Sequence, residues 1–166
     1  KNGADSVTAA DIYDRHVEYT KWNAIRNDVD IEVIQSDLFD NIEEKFDVIS
    51  CDVSGIPLTV AEISGWFPDG VPIADESGMD IICRAIEDAP KYLNTGGAFY
   101  VCISQLSDFK KIKDLMDKNN ASMIFDKDIP FSKELAKNVG KLKPEHYNKR
   151  GSRYTWNFSL WKMEVK

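Results

Sequence analysis

Residues 46–52 read Phe46-Asp47-Val48-Ile49-Ser50-Cys51-Asp52, an apolar, strand-like run that ends in a carboxylate. The same pattern occurs twice upstream, where residues 6–10 run into Asp11 and residues 31–35 lead to Asp37. A helical pattern separates these two earlier runs. Strands that alternate with helices predict an α/β protein with a mainly parallel sheet.

The rest of the chain continues this alternation. Residues 98–103 form a continuous apolar run, which is typical of a buried parallel strand. The last two predicted strands have no regular helix between them, so one antiparallel addition is expected near the end. A turn is expected over 94–97, and the helix over 15–27 is expected to bury one apolar side. The other predicted elements are helices over 80–89 and 108–119 and strands over 121–129 and 154–165.

The 166 residues are enough for a single domain with a sizeable core. The segment 133–153 holds seven cations and two carboxylates, a local charge of +5, so that the total of −7 leaves −12 on the rest. An acidic body disfavours a duplex nucleic acid as substrate. The basic segment is interpreted as a solvated surface, and a role in holding an anionic substrate is the alternative.

No run of about 18 apolar residues is present, so no membrane partner is expected. Cys51, Cys83 and Cys102 lie in apolar surroundings without metal-type spacing, which predicts buried, reduced thiols and a cytoplasmic location. No metal site is predicted. His16 is given no role, and His146 is a candidate to face a pocket.

The three strand-end acids, Asp11, Asp37 and Asp52, are the candidate functional residues. Ligands of open α/β sheets bind at the carboxyl ends of the strands. Carboxylates there can hold ribose hydroxyls, an exocyclic amine or a cationic amino acid group, as a positively charged nucleoside cofactor requires. The hypothesis is that all three line one pocket. The alternative for each is an ordinary cap or turn.

Four stretches, 7–12, 34–39, 46–52 and 90–98, resemble successive motifs of class I S-adenosylmethionine-dependent methyltransferases, and the release-factor glutamine methyltransferases are the nearest group. The resemblance covers residues 3–103 in order and spacing. It implies a Rossmann-like methyltransferase sheet, mainly parallel with an antiparallel C-terminal strand, and S-adenosylmethionine as the cofactor.

The resemblance also implies residue roles. Asp11 matches the acid that grips the ribose hydroxyls, and Ile12 lies beside the adenine. Asp37 matches the acid that meets the adenine amine, and Leu38 gives a backbone amide to the ring. Asp52 stands where this family begins its Asn-Pro-Pro-Tyr catalytic motif.

The sequence departs from the family at that motif, because it reads Asp52-Val53-Ser54-Gly55. The family motif grips a planar amide or amino nitrogen. Asp52 is therefore expected to orient or deprotonate a different nucleophile, while Val53, Ser54 and Gly55 contact the substrate; a structural Asp52 is the alternative. The expected function is methyl transfer to an O or N atom of a small molecule or protein side chain. The alternatives are an inactive methyltransferase-like scaffold and a nicotinamide-dependent dehydrogenase.

A second departure is the absence of the family's first strand and glycine-rich loop. In the family that strand lies between the strands that end here at Asp11 and Asp52, so a second chain or an N-terminal segment is expected to complete the sheet. Residues 1–166 are thus read as one partial domain. The long loop 54–77 is interpreted as a lid or substrate wall that carries Trp66 and Phe67, with an aromatic plug as the alternative.

Overall fold

The computed structural model describes residues 3–53, 55–67 and 75–165 of the chain. These residues form two compact units, Lys1–Lys45 and Phe46–Lys166. Each unit has its own parallel strands and its own helices.

The first unit is a β-α-β arrangement. Strand β1 spans Thr8–Asp11, helix α1 spans Asp14–Arg26, and strand β2 spans Glu32–Gln35. The two strands are parallel, with Asp11 opposite Gln35 at their carboxyl ends. The predicted strand–helix–strand order is confirmed within one to two residues.

Helix α1 does not bury the whole apolar side that its sequence predicts. Val17 and Ala24 are buried, whereas Tyr19, Trp22 and Ile25 are 52%, 57% and 78% exposed. A two-stranded sheet offers little surface for a helix to cover, so only a narrow stripe of α1 finds a partner among the described residues.

The second unit contains a five-stranded sheet in the order β3-β4-β7-β5, with β6 paired to β7. The strands span Phe46–Cys51 (β3), Leu93–Ser104 (β4), Ser122–Pro130 (β5), Asn148–Arg150 (β6) and Arg153–Glu164 (β7). Strands β3 and β4 are parallel, and β7 is antiparallel to both β4 and β5. Strand β5 therefore runs in the direction of β4, which confirms a mainly parallel sheet with an antiparallel last strand.

Helices cover both faces of this sheet. Helix α2 spans Leu58–Ser64, α3 Asp80–Asp88, α4 Lys110–Lys118 and α5 Lys133–Lys137. Helix α2 contacts α5, and α3 contacts α4. Short 3-10 helices occupy Ala89–Tyr92, Val139–Lys141 and Pro144–His146. In the described ranges the longest helix, α1, has 13 residues, and none is long and apolar enough to cross a bilayer.

Strand β7 contributes side chains to both faces. Trp156 packs against a buried cluster whose members come from α2, α5 and nearby loops, namely Val60, Ile63, Leu106, Leu135 and Leu142. Trp161 instead packs on Phe109, at the start of α4, with ring centroids 5.6 Å apart. Because side chains alternate along a strand, Trp156 and Trp161 lie on opposite faces.

Because both faces of the sheet are covered, neither face of β7 is fully open to solvent. Side chains on both of its faces are half-buried, and Ser159 is more buried than the neighbouring Phe158 or Leu160. The three cysteines are likewise half-buried rather than fully buried, and all are free thiols.

Three segments that were expected to be irregular contain regular structure. Residues 94–97, expected to be a turn, belong to β4, where Gly96 has a φ of +79° and the pairing with β3 shifts register. The loop 54–77 contains α2, and the basic segment 133–153 contains α5 and β6. Such short elements depend on tertiary packing more than on a sequence period that could reveal them.

Candidate functional site

Asp11 ends β1, and its carboxylate is held by local contacts. Its Oδ1 accepts a hydrogen bond from the Tyr13 amide at 2.9 Å, and its Oδ2 lies 3.3 Å from His16 Nδ1. The side chain remains 39% exposed. A carboxylate can accept about four hydrogen bonds, so Asp11 keeps capacity for a ligand while it shapes the turn into α1.

Asp37 and Leu38 lie in the turn that follows β2, at the same carboxyl edge as Asp11. Leu38 adopts a left-handed conformation with φ of +51°, which is uncommon outside glycine. The turn is fixed by Ser36, whose hydroxyl accepts from the Asn41 amide at 3.0 Å and whose own amide donates to the Asp11 carbonyl at 2.9 Å. The structure thus brings Asp11 and Asp37 to one edge of the parallel pair.

Ile12 follows Asp11 and is 46% exposed, which leaves an apolar side chain open at this edge. The Gln35 side chain donates to the Ile12 carbonyl at 3.1 Å and so links the ends of β1 and β2. An exposed isoleucine beside an exposed carboxylate can contact the flat face of a base while the acid binds its sugar.

Asp52 follows β3 in the second unit and lines a cleft of about 400 Å³. Three other predicted substrate residues, Val53, Gly55 and Trp66, line the same cleft. Phe67 is half-buried and does not line it. Ser54 and residues 68–74 of the predicted loop lie outside the described residues. That Asp52 shares a pocket with Asp11 and Asp37 stays a prediction.

Gly55 has a packing role at the floor of this cleft. Its amide donates to the Val53 carbonyl at 2.7 Å, and its carbonyl accepts from the buried Ser107 hydroxyl. A Cβ at this position would lie 2.1 Å from Cδ1 of the fully buried Ile82. A larger residue at this position would therefore require the buried Ile82 side chain to move.

The wall of the cleft includes residues that sequence reasoning did not select. Trp156 and Phe158 come from β7, and Cys102, Ile103 and Ser104 come from the end of β4. The alternation along β7 places Trp156 and Phe158 on one face, but nothing local in the sequence indicates that β7 inserts beside β4. These wall residues could be identified only once the order of the strands in the sheet was known.

Two thiols lie close to Asp52, and both are held in the protonated form. Burial raises the pKa of Cys51 to about 11, with the Val53 amide opposing the shift and the charge of Asp52 adding to it. Burial, the charge of Asp52 and a hydrogen bond to Asp52 raise the pKa of Cys102. Neither thiol is suited to act as a nucleophile at neutral pH.

A second cleft of about 340 Å³ lies on the opposite face of β7, beside Phe109 and Trp161. It contains His146, which is 8% exposed, and burial together with the charge of Lys143 lowers the pKa of His146. His146 therefore faces a cleft, but not the one that holds Asp52. Among the described residues no three His, Cys, Asp or Glu side chains converge as a metal site.

Comparison with known proteins identifies the family. The inferred protein N5-glutamine methyltransferase of Methanocaldococcus jannaschii is 31% identical over 146 residues, which cover 86% of this chain and 73% of the relative. The chain belongs to the class I methyltransferases that use S-adenosylmethionine. No protein-family model matches the sequence of this methyltransferase chain.

Solved structures agree with the fold of the methyltransferase chain. The ribosomal protein L11 methylase of Lactobacillus delbrueckii subsp. bulgaricus matches 99% of this chain and 60% of its own, with a TM-score of 0.58 and 19% identity. The 16S rRNA N2-G1207 methyltransferase of T. thermophilus, solved with AdoMet and guanosine, matches 97% of this chain and 32% of its own, with a TM-score of 0.56 and 12% identity.

The methyltransferase chain spans only part of most of its relatives. It covers between 32% and 38% of three other curated methyltransferases that it matches. The relatives support methyl transfer over both alternatives from the sequence, the scaffold and the nicotinamide-dependent dehydrogenase.

Proposed function

We propose that this chain is the larger part of an enzyme that transfers a methyl group from S-adenosylmethionine to an O or N atom of a small molecule or a protein side chain. The observation that carries the proposal is the placement of Asp11 and Asp37 at one carboxyl edge of a parallel strand pair, in a chain of this family. A carboxyl edge of this kind is where α/β proteins bind nucleoside ligands.

The residues at that edge fit the adenosine half of the cofactor. Asp11 has an exposed carboxylate with acceptor capacity for two ribose hydroxyls, and Ile12 offers an open apolar side chain for one face of the adenine. Asp37 would accept from the exocyclic amine of the base. The backbone amide of Leu38 would donate to a ring nitrogen.

Asp52 and its cleft would hold the acceptor. The bound cofactor supplies a methyl group on a positively charged sulfur. Asp52 would orient the accepting atom and remove its proton, while Val53, Ser54, Gly55 and Trp66 enclose the acceptor and exclude water. The short turn between Val53 and Gly55 fixes the direction in which the chain leaves Asp52.

The sheet edges support the proposed need for a further strand. Strand β3 pairs with β4 on one side and with no described strand on the other, and its Val48 is 62% exposed. Parallel sheets normally have both faces covered, and an open strand edge presents unpaired backbone groups that another strand can pair with. We propose that a strand with a glycine-rich loop, from a second chain or an N-terminal segment, pairs here. Protein or small-molecule acceptors remain the proposed partners, without duplex nucleic acid or membrane.

Calorimetry with S-adenosylhomocysteine tests the proposal. The Asp11→Ala variant should weaken binding about tenfold or more, because it removes hydrogen bonds to a charged acceptor. Asp30→Ala, an exposed acid at the opposite end of β2, is the matched control and should bind as the parent does. If the complex with the glycine-rich segment added binds no S-adenosylhomocysteine, the scaffold alternative is correct. Binding of NADH instead would favour a dehydrogenase.

A further inference from the structure

The cleft beside Asp52 has a wall of three aromatic rings. The centroids of Trp66 and Trp156 are 5.9 Å apart with the planes tilted by 48°, and Trp156 meets Phe158 edge to face at 6.5 Å. All three side chains line the cleft. Trp66 is 38% exposed, so part of its ring surface remains open to a ligand. The cleft thus presents aromatic surface to a ligand.

The charge in this cleft has one sign. Among the described residues that line it, Asp52 carries the formal charge, and no lysine, arginine or histidine is present. Asp52 is exposed. The neighbouring thiols of Cys51 and Cys102 add no negative charge, because their pKa values are raised and they stay protonated. A carboxylate or phosphate ligand would find repulsion here and no cation to pair with.

Aromatic faces next to a carboxylate select a cation. A ring face attracts an ammonium group through its quadrupole, and Trp is the strongest of the aromatic residues in this respect. The carboxylate adds a charge-assisted hydrogen bond. A neutral amide gains neither the charge attraction nor the full ring interaction, and the Asn-Pro-Pro-Tyr motif that grips an amide is absent from this chain.

We propose that the cleft binds the alkylammonium group of a primary amine, and that this amine, rather than an amide, is the methyl acceptor. The inference rests on the proposed methyl-transfer function. Asp52 takes one proton from the ammonium, which frees the nitrogen lone pair to bond the methyl carbon. The pair of the broken carbon–sulfur bond leaves with the donor's sulfur, so atoms and charge balance. Trp66 and Trp156 hold the ammonium group before its proton leaves and the methylated ammonium after the transfer.

The test is a set of NMR titrations of the full chain with three probes of equal length: n-butylammonium, butyramide and butyrate. The indole signals of Trp66 and Trp156 should shift with butylammonium at about tenfold lower concentration than with butyramide. Butyrate should leave them unchanged. Equal or tighter binding of butyramide or butyrate would overturn the proposal, as would shifts confined to other tryptophans.

Variants test whether Asp52 and Trp66 cause the preference for butylammonium over butyramide. Asp52→Asn and Trp66→Leu should each bring butylammonium to within about twofold of butyramide. Trp22→Leu, an exposed tryptophan in the first unit, is the control and should keep the preference. Trp66 is preferred to Trp156 for this purpose because Trp156 also packs on the buried α2–α5 cluster. A preference that survives both cleft variants would contradict the assignment.

Two measurements, S-adenosylhomocysteine binding and the ammonium preference, distinguish a failure of the amine assignment from a failure of the proposed methyl transfer. If S-adenosylhomocysteine binds and the ammonium preference is absent, the amine assignment is wrong and methyl transfer stands. If the preference holds and S-adenosylhomocysteine does not bind in the presence of the glycine-rich segment, the cleft chemistry stands without the proposed reaction, and the assignment of the amine as a methyl acceptor is wrong.

Discussion

At the scale of single residues, Asp75 holds the start of α3. Its Oδ2 accepts from the Ser77 hydroxyl at 2.6 Å and the Ser77 amide at 3.2 Å, and its Oδ1 accepts from the amides of Met79 and Asp80 at 3.1 and 3.4 Å. Burial alone would raise the pKa of Asp75, but these hydrogen bonds stabilise the carboxylate and lower the pKa to about 2. Asp75 therefore links helix stability to pH.

The free energy of unfolding should depend on pH because of Asp75. Between pH 2 and the ordinary aspartate value of 3.8 the unfolded chain binds more protons than the folded chain, so stability rises with pH in that window and is lost as pH falls toward 2. Urea unfolding of Asp75→Asn across this range should lack that part of the slope. The neighbouring exposed Glu76, changed to Gln, should retain it; identical slopes for parent and Asp75→Asn would contradict the account.

Gly78 gives a second residue-scale prediction. It has a φ of +72°, and a Cβ there would lie 2.6 Å from the Pro57 backbone nitrogen. Gly78→Ala should lower the free energy of unfolding by about 2 kcal/mol or more, because the strained conformation and a backbone clash add together. Gly140→Ala meets no atom within 4 Å and should change stability little. Chemical denaturation measures both variants.

Asp52 is expected to matter for turnover and not for donor affinity. Asp52→Asn keeps the shape but removes the base, so methyl transfer in the completed enzyme should fall about 100-fold or more. Affinity for S-adenosylhomocysteine should stay within a few-fold. Glu62→Gln, an exposed acid on α2, should leave both quantities unchanged. Persistent activity in Asp52→Asn would make Asp52 a structural residue.

At the scale of elements, β3 and β4 should differ in hydrogen exchange. Strand β4 pairs with β3 and β7, whereas β3 has one described partner. About half of the β3 amides should therefore exchange quickly while those in the middle of β4 are protected. Adding a polypeptide with the glycine-rich strand and loop should slow β3 exchange. Uniform protection of β3 in the isolated chain would contradict an open edge.

The elements also show what the sequence could predict. The strands that end at Asp11, Cys51 and Ser104 follow from apolar runs, because a strand's pattern is local. The exposure of Tyr19, Trp22 and Ile25 on α1 could not be predicted, since burial depends on what covers the helix. The presence of Trp156 in the Asp52 cleft could not be predicted for a similar reason. Its position depends on β7 inserting between β4 and β5, and β7 lies about 100 residues after Asp52 in the chain.

At the scale of the whole molecule, the two compact units have different proposed roles, donor binding in the first and acceptor binding in the second. The first places two acids and an exposed isoleucine at one strand edge, which fits the adenosine half of a donor. The second places one carboxylate in an aromatic cleft, which fits a cationic acceptor. The resemblance and the strand-end acids together predicted both groups of residues from sequence, whereas the chemistry of the acceptor required the packing of β7.

The most direct measurement is a backbone NMR titration with S-adenosylhomocysteine, performed on the chain together with the proposed glycine-rich segment. The account predicts that the largest shifts in the first unit fall on Asp11, Ile12, Asp37 and Leu38, and that Asp11→Ala needs about tenfold more ligand or more to reach the same shifts. Shifts that leave these four residues untouched, or no shifts at saturating ligand, would contradict the claim that this edge holds the methyl donor.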